Sequence, residues 1–296
     1  IDLFAPDGEP VARLEGLRFQ QIDRLTISDA GDDAGEQEDG ERKDRGTDWL
    51  YHVKWVETPF QKMAAEGKQG RWLVLDDSDG IGELLVQRLS DRGQASVLVK
   101  PGSDYEVDRS PNGECHRVRI RPDIAEDYIR LLNDSAHDTA SNGELPNEIS
   151  GVIHLWSLDA PHDDETSFKS AHRLSCGSAL HLIQALARKT NRPQVFFVTR
   201  GAQLLGDDQP TRSTLAQAPL TGFRNVCAAE YPDLGPLHVD LDPTAGTSVQ
   251  ADNLLGELAR GDSSQHVAYR RGNRYEARLT HFQGSDNGVS EARGER

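Results

Sequence analysis

Residues 71–89 read R-W-L-V-L-D-D-S-D-G-I-G-E-L-L-V-Q-R-L: an apolar run closes at Leu75, a short turn follows, and a helical pattern begins. Ile81, Leu84, Leu85 and Leu89 share one helical face, so the stretch is expected to form a buried strand, a tight turn and a helix. In a parallel α/β sheet, that turn is where a nucleotide-binding unit carries its glycine-rich phosphate loop. Glycine lets the backbone approach the phosphate oxygens, and the helix N-terminal amides and dipole favour the anion. Laid on G-x-G-x-x-G, the segment puts Asp77, Asp79 and Gly82 at the three glycine positions, so only the last, which serves helix–strand packing, is kept.

Charge decides how this loop reads. Two unit charges about 4 Å apart interact by roughly 1 kcal/mol in water and about 4 at an effective dielectric of 20. A helix terminus offers an anion only about 0.3–2 kcal/mol. Asp76, Asp77 and Asp79 beside a diphosphate would cancel that attraction. The loop Asp76, Asp77, Asp79, Gly80 and Gly82 is therefore read as degenerate and closed to a dinucleotide, with Asp76, Asp77 and Asp79 capping the helix and Ser78 or Asp79 at its N-cap position. The alternatives are a carboxylate-bound metal and a working cofactor loop. The next strand, S-V-L-V-K, ends in Lys100, which would suit a 2′-phosphate but equally suits a solvated strand end.

Working outward, short apolar runs alternate with helical patterns, the mark of a parallel sheet with helices on both faces. Strands are expected at Trp72–Leu75, Ala95–Val99, His116–Ile120, Val152–Trp156, Val195–Thr199 and Leu237–Asp240. Leu174, Leu182, Ile183 and Leu186 mark a long helix, and Leu215–Ala229 and Ala251–Ala259 read as further covering helices. Tyr51–Val56, His266–Tyr269 and Tyr275–Leu279 read as extra strands that pair and tie the domain's ends together. Ahead of this, residues 1–22 form two alternating runs around Pro6-Asp7-Gly8, a hairpin signal. Residues 28–48 carry nine acidic and three basic residues with no large apolar side chain, too little to offset ordering entropy, and read as a disordered tether. The expected organisation is a hairpin remnant at 1–27, a linker at 28–48, one domain at 49–282 and a second linker at 283–296.

The chain has 296 residues and a net charge of -16, which repels phosphate backbones and anionic lipid. No basic cluster interleaved with aromatics offsets that charge, so nucleic-acid binding is not expected. No apolar stretch nears the roughly 20 residues of a membrane span, and no signal peptide is visible. Cys115, Cys176 and Cys227 are odd in number and far apart, with no C-x-x-C, which fits a reducing, cytoplasmic setting without a disulfide framework or zinc. His154, His172 and His181 show no metal-ligand spacing, and Ser175-Cys176-Gly177-Ser178 falls mid-helix rather than on a nucleophile elbow. Beginning without Met, the chain is expected to be a piece of something longer.

Five phrases carry a resemblance: G-V-I-H-L-W-S-L-D (151–159), S-C-G-S-A-L-H-L-I-Q-A-L (175–186), V-T-R-G-A-Q (198–203), L-A-Q-A-P-L-T-G (215–222) and H-V-D-L-D-P (238–243). In this order they resemble the structural, non-catalytic subdomain of ketoreductases in type I modular polyketide synthases, from about Leu50 through Phe282. That resemblance implies a truncated Rossmann-like, short-chain-dehydrogenase-like fold. D-L-F-A-P-D-G-E-P-V-A-R-L-E-G-L-R resembles the last hairpin of the dehydratase domain that precedes this subdomain.

A catalytic member of the family needs a tyrosine proton donor, a lysine or asparagine tuning it and a serine polarising the ketone. No tyrosine lies in Thr211–Thr221, and after the strand stand Thr199, Arg200 and Gly201. Catalytic, cofactor-binding and metal residues are thus all expected to be absent. The implied role is to brace a catalytic ketoreductase half encoded downstream, alongside dehydratase and enoyl reductase domains, with NADPH and phosphopantetheine elsewhere in the multienzyme. The alternative is a divergent NADP-dependent reductase using the loop despite its acids.

Overall fold

A computed structural model of the chain describes residues 2–4, 10–13, 51–59, 70–109, 115–136, 148–160, 165–260 and 266–281. They belong to two compact units, Ile1–His52 with Leu279–Arg296, and Val53–Arg278. In the first unit, β1 (Asp2–Phe4) pairs antiparallel with β2 (Pro10–Arg13), Leu3 facing Ala12, as a hairpin requires. The Pro6-Asp7-Gly8 turn and the expected linkers at 28–48 and 283–296 lie outside the described residues.

The main sheet takes in β3 (Tyr51–Glu57), β4 (Arg71–Leu75), β5 (Ala95–Pro101), β6 (Glu106–Arg109), β7 (Cys115–Ile120), β8 (Ile149–His154), β9 (Gln194–Arg200), β10 (Leu237–Leu241), β11 (His266–Arg270) and β12 (Asn273–His281). Its order is β3-β12-β11-β10-β9-β8-β4-β5-β7-β6. The seven strands from β11 to β7 run parallel, and β12 and β6 flank them antiparallel. Chain order reverses at β4, with β5 on one side and β8 on the other. In such sheets a ligand crevice opens at that reversal, beyond the carboxyl ends of the strands.

Alternation along β4 explains why both faces are covered. Leu73 and Leu75 face one apolar cluster with α2 (Ala125–Ala136), α4 (Ser178–Leu186) and α6 (Pro219–Glu230), while Trp72 and Val74 face the other with α1 (Ile81–Ser90) and α7 (Thr247–Arg260). All five residues of β4 are buried. The remaining helices are α3 (Glu165–His172), joined to α4 by a π turn at Arg173–Gly177, and α5 (Arg212–Gln217). Where the β5–β7 connection is the strand β6 instead of a helix, the sheet face on the α1 side is charged: Arg119 stands opposite Glu106 and Arg117 opposite Asp108. Both arginine side chains there are more than half exposed.

Several expected boundaries need correction. The strand read at Val152–Trp156 starts at Ile149 and stops at His154, because Trp156–Asp159 coils into a 3-10 turn that buries the Trp156 ring. The helix read at Leu215–Ala229 is two helices. Thr211 and Thr214 cap the start of α5 reciprocally, and Pro219, which lacks an N–H, begins α6. Helix α7 begins at Thr247, earlier than Ala251. β6 and α2 lie outside the expected elements, although Tyr128, Leu131, Leu132 and Ser135 bury one helical stripe of α2.

The expected tie between the ends of the domain is present. β3 borders β12, and Thr58 N donates to the Arg274 carbonyl at 2.9 Å. Below it lies a buried ion network. Arg274 bonds Glu257 at 2.6 Å and Glu276 at 2.5 Å, with all three side chains at most 6% exposed, and the Tyr269 hydroxyl donates to Glu257.

Candidate functional site

The crevice at the carboxyl ends of β4, β8 and β9 gathers Asp76, Asp77, Ser78, Asp79, Asp159, Lys100 and Arg200, and each acid there has its own task. Asp77 is buried and turns its carboxylate back onto the loop, accepting from the backbone amides of Asp79 (3.1 Å), Ile81 (3.3 Å) and Gly82 (2.8 Å). The last two are start-of-helix donors that α1 itself leaves unpaired, and the first closes the turn ahead of them. The expected capping by an acid of this loop is present at Asp77, while the expected N-cap position at Ser78 or Asp79 is corrected: Gly80 occupies it at φ 86°, which a side chain disfavours.

Asp76 lies deeper. Its side chain is fully buried, with Oδ2 3.1 Å from Lys100 Nζ and neither oxygen accepting a well-formed hydrogen bond. Burial outweighs the nearby ammonium and pushes its pKa up to about 6. A Cβ on Gly82 would come within 2.2 Å of Asp76 Oδ1, so this glycine makes room for a carboxylate. Lys100 also bonds Glu83 at 3.1 Å. Burial works against its charge, yet the two carboxylates hold its pKa above the ordinary lysine value. It is therefore engaged, not simply solvated.

Asp79 leaves the loop on the other side and meets Arg200 Nη1, at the end of β9, at 2.7 Å. Asp159, in the 3-10 turn after β8, accepts from Ser78 N at 2.9 and 3.0 Å and from Ser78 Oγ at 2.7 Å. Burial raises the Asp159 pKa, and the charges of Asp77 and Asp79 add to that effect. The sequence reading passed over Asp159; its signal is an acid directly after the apolar run that ends a strand at the chain reversal.

Thr199, the first of the three residues after Val195–Val198 among which the resemblance implies a serine in a catalytic copy, is buried. Its hydroxyl donates to Asp240 Oδ1 at 2.5 Å and lies 2.9 Å from His238 Nε2. Asp240 is saturated by Ala202 N, Gln203 N and Arg270 Nη2 as well. The hydroxyls of Tyr105, Tyr128 and Tyr269 bond Asp134, the Pro122 carbonyl and Glu257. Burial raises the pKa of both Tyr128 and Tyr269. His154 sits between Trp156 and Phe197 with Nε2 2.7 Å from Ser178 Oγ, and burial lowers its pKa to about 4. Among the described residues, no group of three His, Cys, Asp or Glu side chains could hold a metal ion, and no helix is long and apolar enough to cross a membrane. An open polar hollow of about 540 Å³, lined by Glu148, Lys189, Thr190, Asn191, Arg192 and Asp233, lies instead at the amino ends of β8 and β9.

The family model described as beta-ketoacyl synthase-like, N-terminal, matches residues 70–249. The chain belongs to that family. It is 28% identical over 242 residues to a phenolphthiocerol/phthiocerol polyketide synthase of Mycobacterium tuberculosis, covering 78% of this chain and 12% of that protein. It is 28% identical over 242 residues to polyketide synthase GfsA of Streptomyces halstedii, covering 80% of this chain and 3% of that protein. The chain thus spans a small part of these relatives.

Among solved structures, the adenylation, ketoreductase and pseudo-Asub multidomain structure of a keto acid-selecting NRPS module matches with a TM-score of 0.64 at 22% identity, covering 79% of this chain and 18% of that one. A C2-type ketoreductase from a modular polyketide synthase matches with a TM-score of 0.54 at 24% identity, covering 79% of this chain and 44% of that one. The beta-ketoacyl synthase-like segment therefore has a ketoreductase-like fold, and its sequence relatives are polyketide synthases. Acyl-group chemistry on a thiol would need an accessible, acidified cysteine. Here Cys176 and Cys227 are buried, and burial raises both thiol pKa values, that of Cys227 to about 11.

Proposed function

We propose that this region is a non-catalytic, structural part of a type I polyketide synthase that braces a catalytic ketoreductase half lying elsewhere in a longer chain. The observation that carries the reading is the Asp77 carboxylate seated on the amides of Asp79, Ile81 and Gly82, where a coenzyme diphosphate would have to bind. Thr199 supports it, because a hydroxyl committed to Asp240 is not available to polarise a ketone.

On this reading the chemistry sits with the partner half, which carries NADPH, while acyl chains arrive on a phosphopantetheine arm. Residues 1–27 would be the end of a dehydratase domain, residues 28–48 and 283–296 tethers, and residues 49–282 the brace within a cytoplasmic multienzyme. Isothermal titration of the chain with NADPH tests the proposal. No heat beyond dilution is expected, and saturable binding at micromolar affinity would overturn it in favour of a divergent reductase.

A further inference from the structure

We propose that Asp159 and Arg200 form a clasp that holds the crevice shut, with Asp77 standing in for a coenzyme diphosphate, so that the domain keeps a liganded geometry with nothing bound. The inference rests on the non-catalytic reading of the same crevice, and adds a mechanical device to it. Three ties act on the five-residue loop Asp76–Gly80, each from a different direction. Asp77 fastens it to the start of α1. Asp159 reaches Ser78 from the turn after β8, 81 residues away in sequence, through both the amide and the hydroxyl. Arg200 reaches Asp79 from the end of β9, 121 residues away.

Strand order makes these ties meaningful, since β8 and β9 are the two strands next to β4 on the side where chain order reverses. The clasp therefore crosses the line along which a dinucleotide would lie. Capping alone would need Asp77 and nothing else. Arg200 is itself held in place: its backbone amide donates to Gln217 Oε1 at 2.8 Å, fixing the end of β9 against α5. A charge-assisted hydrogen bond from outside a turn slows local opening of that turn, and amide exchange reads the opening directly.

Hydrogen exchange on the full chain tests this. In the parent protein the amides of Ser78, Asp79, Ile81 and Gly82 should exchange far more slowly than open chain. Asp159→Asn should speed exchange over 78–82 by about tenfold, and Arg200→Gln, at a half-exposed pair, by about three- to fivefold, while β4 and β9 stay protected. Arg192→Gln, which breaks a contact with Asp233 away from this loop, should leave 78–82 unchanged. A parent loop exchanging at open-chain rates, or a loop indifferent to both variants, overturns the clasp. Should either variant fail to fold, Asp79→Asn, at an exposed carboxylate, is read the same way.

The stand-in role is tested by adding inorganic pyrophosphate to the paired Asp77→Gly, Asp79→Gly variant, with the paired Asp77→Ala, Asp79→Ala variant used if that one does not fold. Protection regained at Ile81 and Gly82 in the variant but not in the parent supports the substitution, and no change in the variant overturns it. Fast loop exchange in a parent that ignores NADPH sinks the clasp alone, whereas NADPH binding by the parent sinks the non-catalytic reading as well.

Discussion

Replacing Asp77 by alanine removes one carboxylate from three backbone donors, and the geometry allows the cost to be set against that of its two neighbours. Loss of an N-terminal cap costs about 0.5–2 kcal/mol. Leaving a buried donor unsatisfied costs about 1–3 kcal/mol, and both Ile81 and Gly82 are buried. With water partly replacing the lost acceptor, Asp77→Ala should cost about 3 kcal/mol. For a unit of this size that lowers the melting temperature by roughly 6–12 °C. Asp79→Ala breaks an ion pair whose acid is 51% exposed and should cost under about 1 kcal/mol.

Asp76→Asn has the opposite sign. A carboxyl raised from 3.8 to about 6 contributes stability that is present below pH 3.8 and lost as pH rises through 6. At neutral pH the buried charge is a burden of up to about 3 kcal/mol. Removing it, with Lys100 still held by Glu83, should stabilise by about 1–2 kcal/mol. Urea denaturation of the three variants at pH 7 gives the ranking. If Asp77→Ala and Asp79→Ala fall within 0.5 kcal/mol of each other (about a factor of two in equilibrium constant), the assignment of separate tasks is refuted.

Acid should unfold the domain early, because His154 and His238 are buried and neutral, with burial lowering their pKa values to about 4 and about 3. Such groups give stability above pH 6.5 that is lost as pH falls, about 2 kcal/mol each by pH 5, against roughly 1 kcal/mol regained at Asp76. A urea midpoint that does not fall between pH 7 and pH 5 would contradict this. Arg274→Met should cost about 3–5 kcal/mol by stranding Glu257 in the interior, Glu276 keeping its pair with Arg278, whereas Arg119→Ala, at a pair exposed on both sides, should change stability by under about 0.5 kcal/mol. Equal effects in chemical denaturation would show that burial does not govern these pairs. Leu73→Ala, in the covered centre of the sheet, should cost about 2–5 kcal/mol, and a smaller loss would mean that the core refills the space.

Most of the parallel strands were legible because a strand covered on both faces is largely apolar, as the runs in β4, β5, β8 and β9 show, whereas β10 (L-H-V-D-L) alternates apolar residues with buried His238 and Asp240. β6 was not, since E-V-D-R at an exposed edge carries one apolar residue and is a strand only through its pairing with β7. α2 has a clear stripe but opens with A-E-D, and its polar face masked the period. At the crevice, the three acids and the missing glycines could be read directly. Asp77 could be read as one of three capping acids but not singled out among them, because that depends on Gly80 turning left-handed and aiming a side chain three residues earlier at the helix start. Asp159 was hidden for another reason: its partner is 81 residues away.

The same geometry bears on whether the loop could be returned to coenzyme binding by restoring glycine. Helix-start amides are obligatory donors, and those of Ile81 and Gly82 are sealed from water by the fold around them. A coenzyme-binding loop can leave such donors for the diphosphate because its glycines keep them accessible between binding events. A loop that has lost its ligand and closed must supply an internal acceptor, or the helix start unravels. On the proposed reading Asp77 both excludes the anion and replaces it, and its removal exposes an unmet need before it creates a site. For that reason Asp77→Gly alone should lower stability without conferring measurable NADPH affinity, since Asp79 and Asp159 still present negative charge to the opened crevice. Gain of binding by the single variant, measured by titration calorimetry, would show that electrostatic closure rests on Asp77 alone.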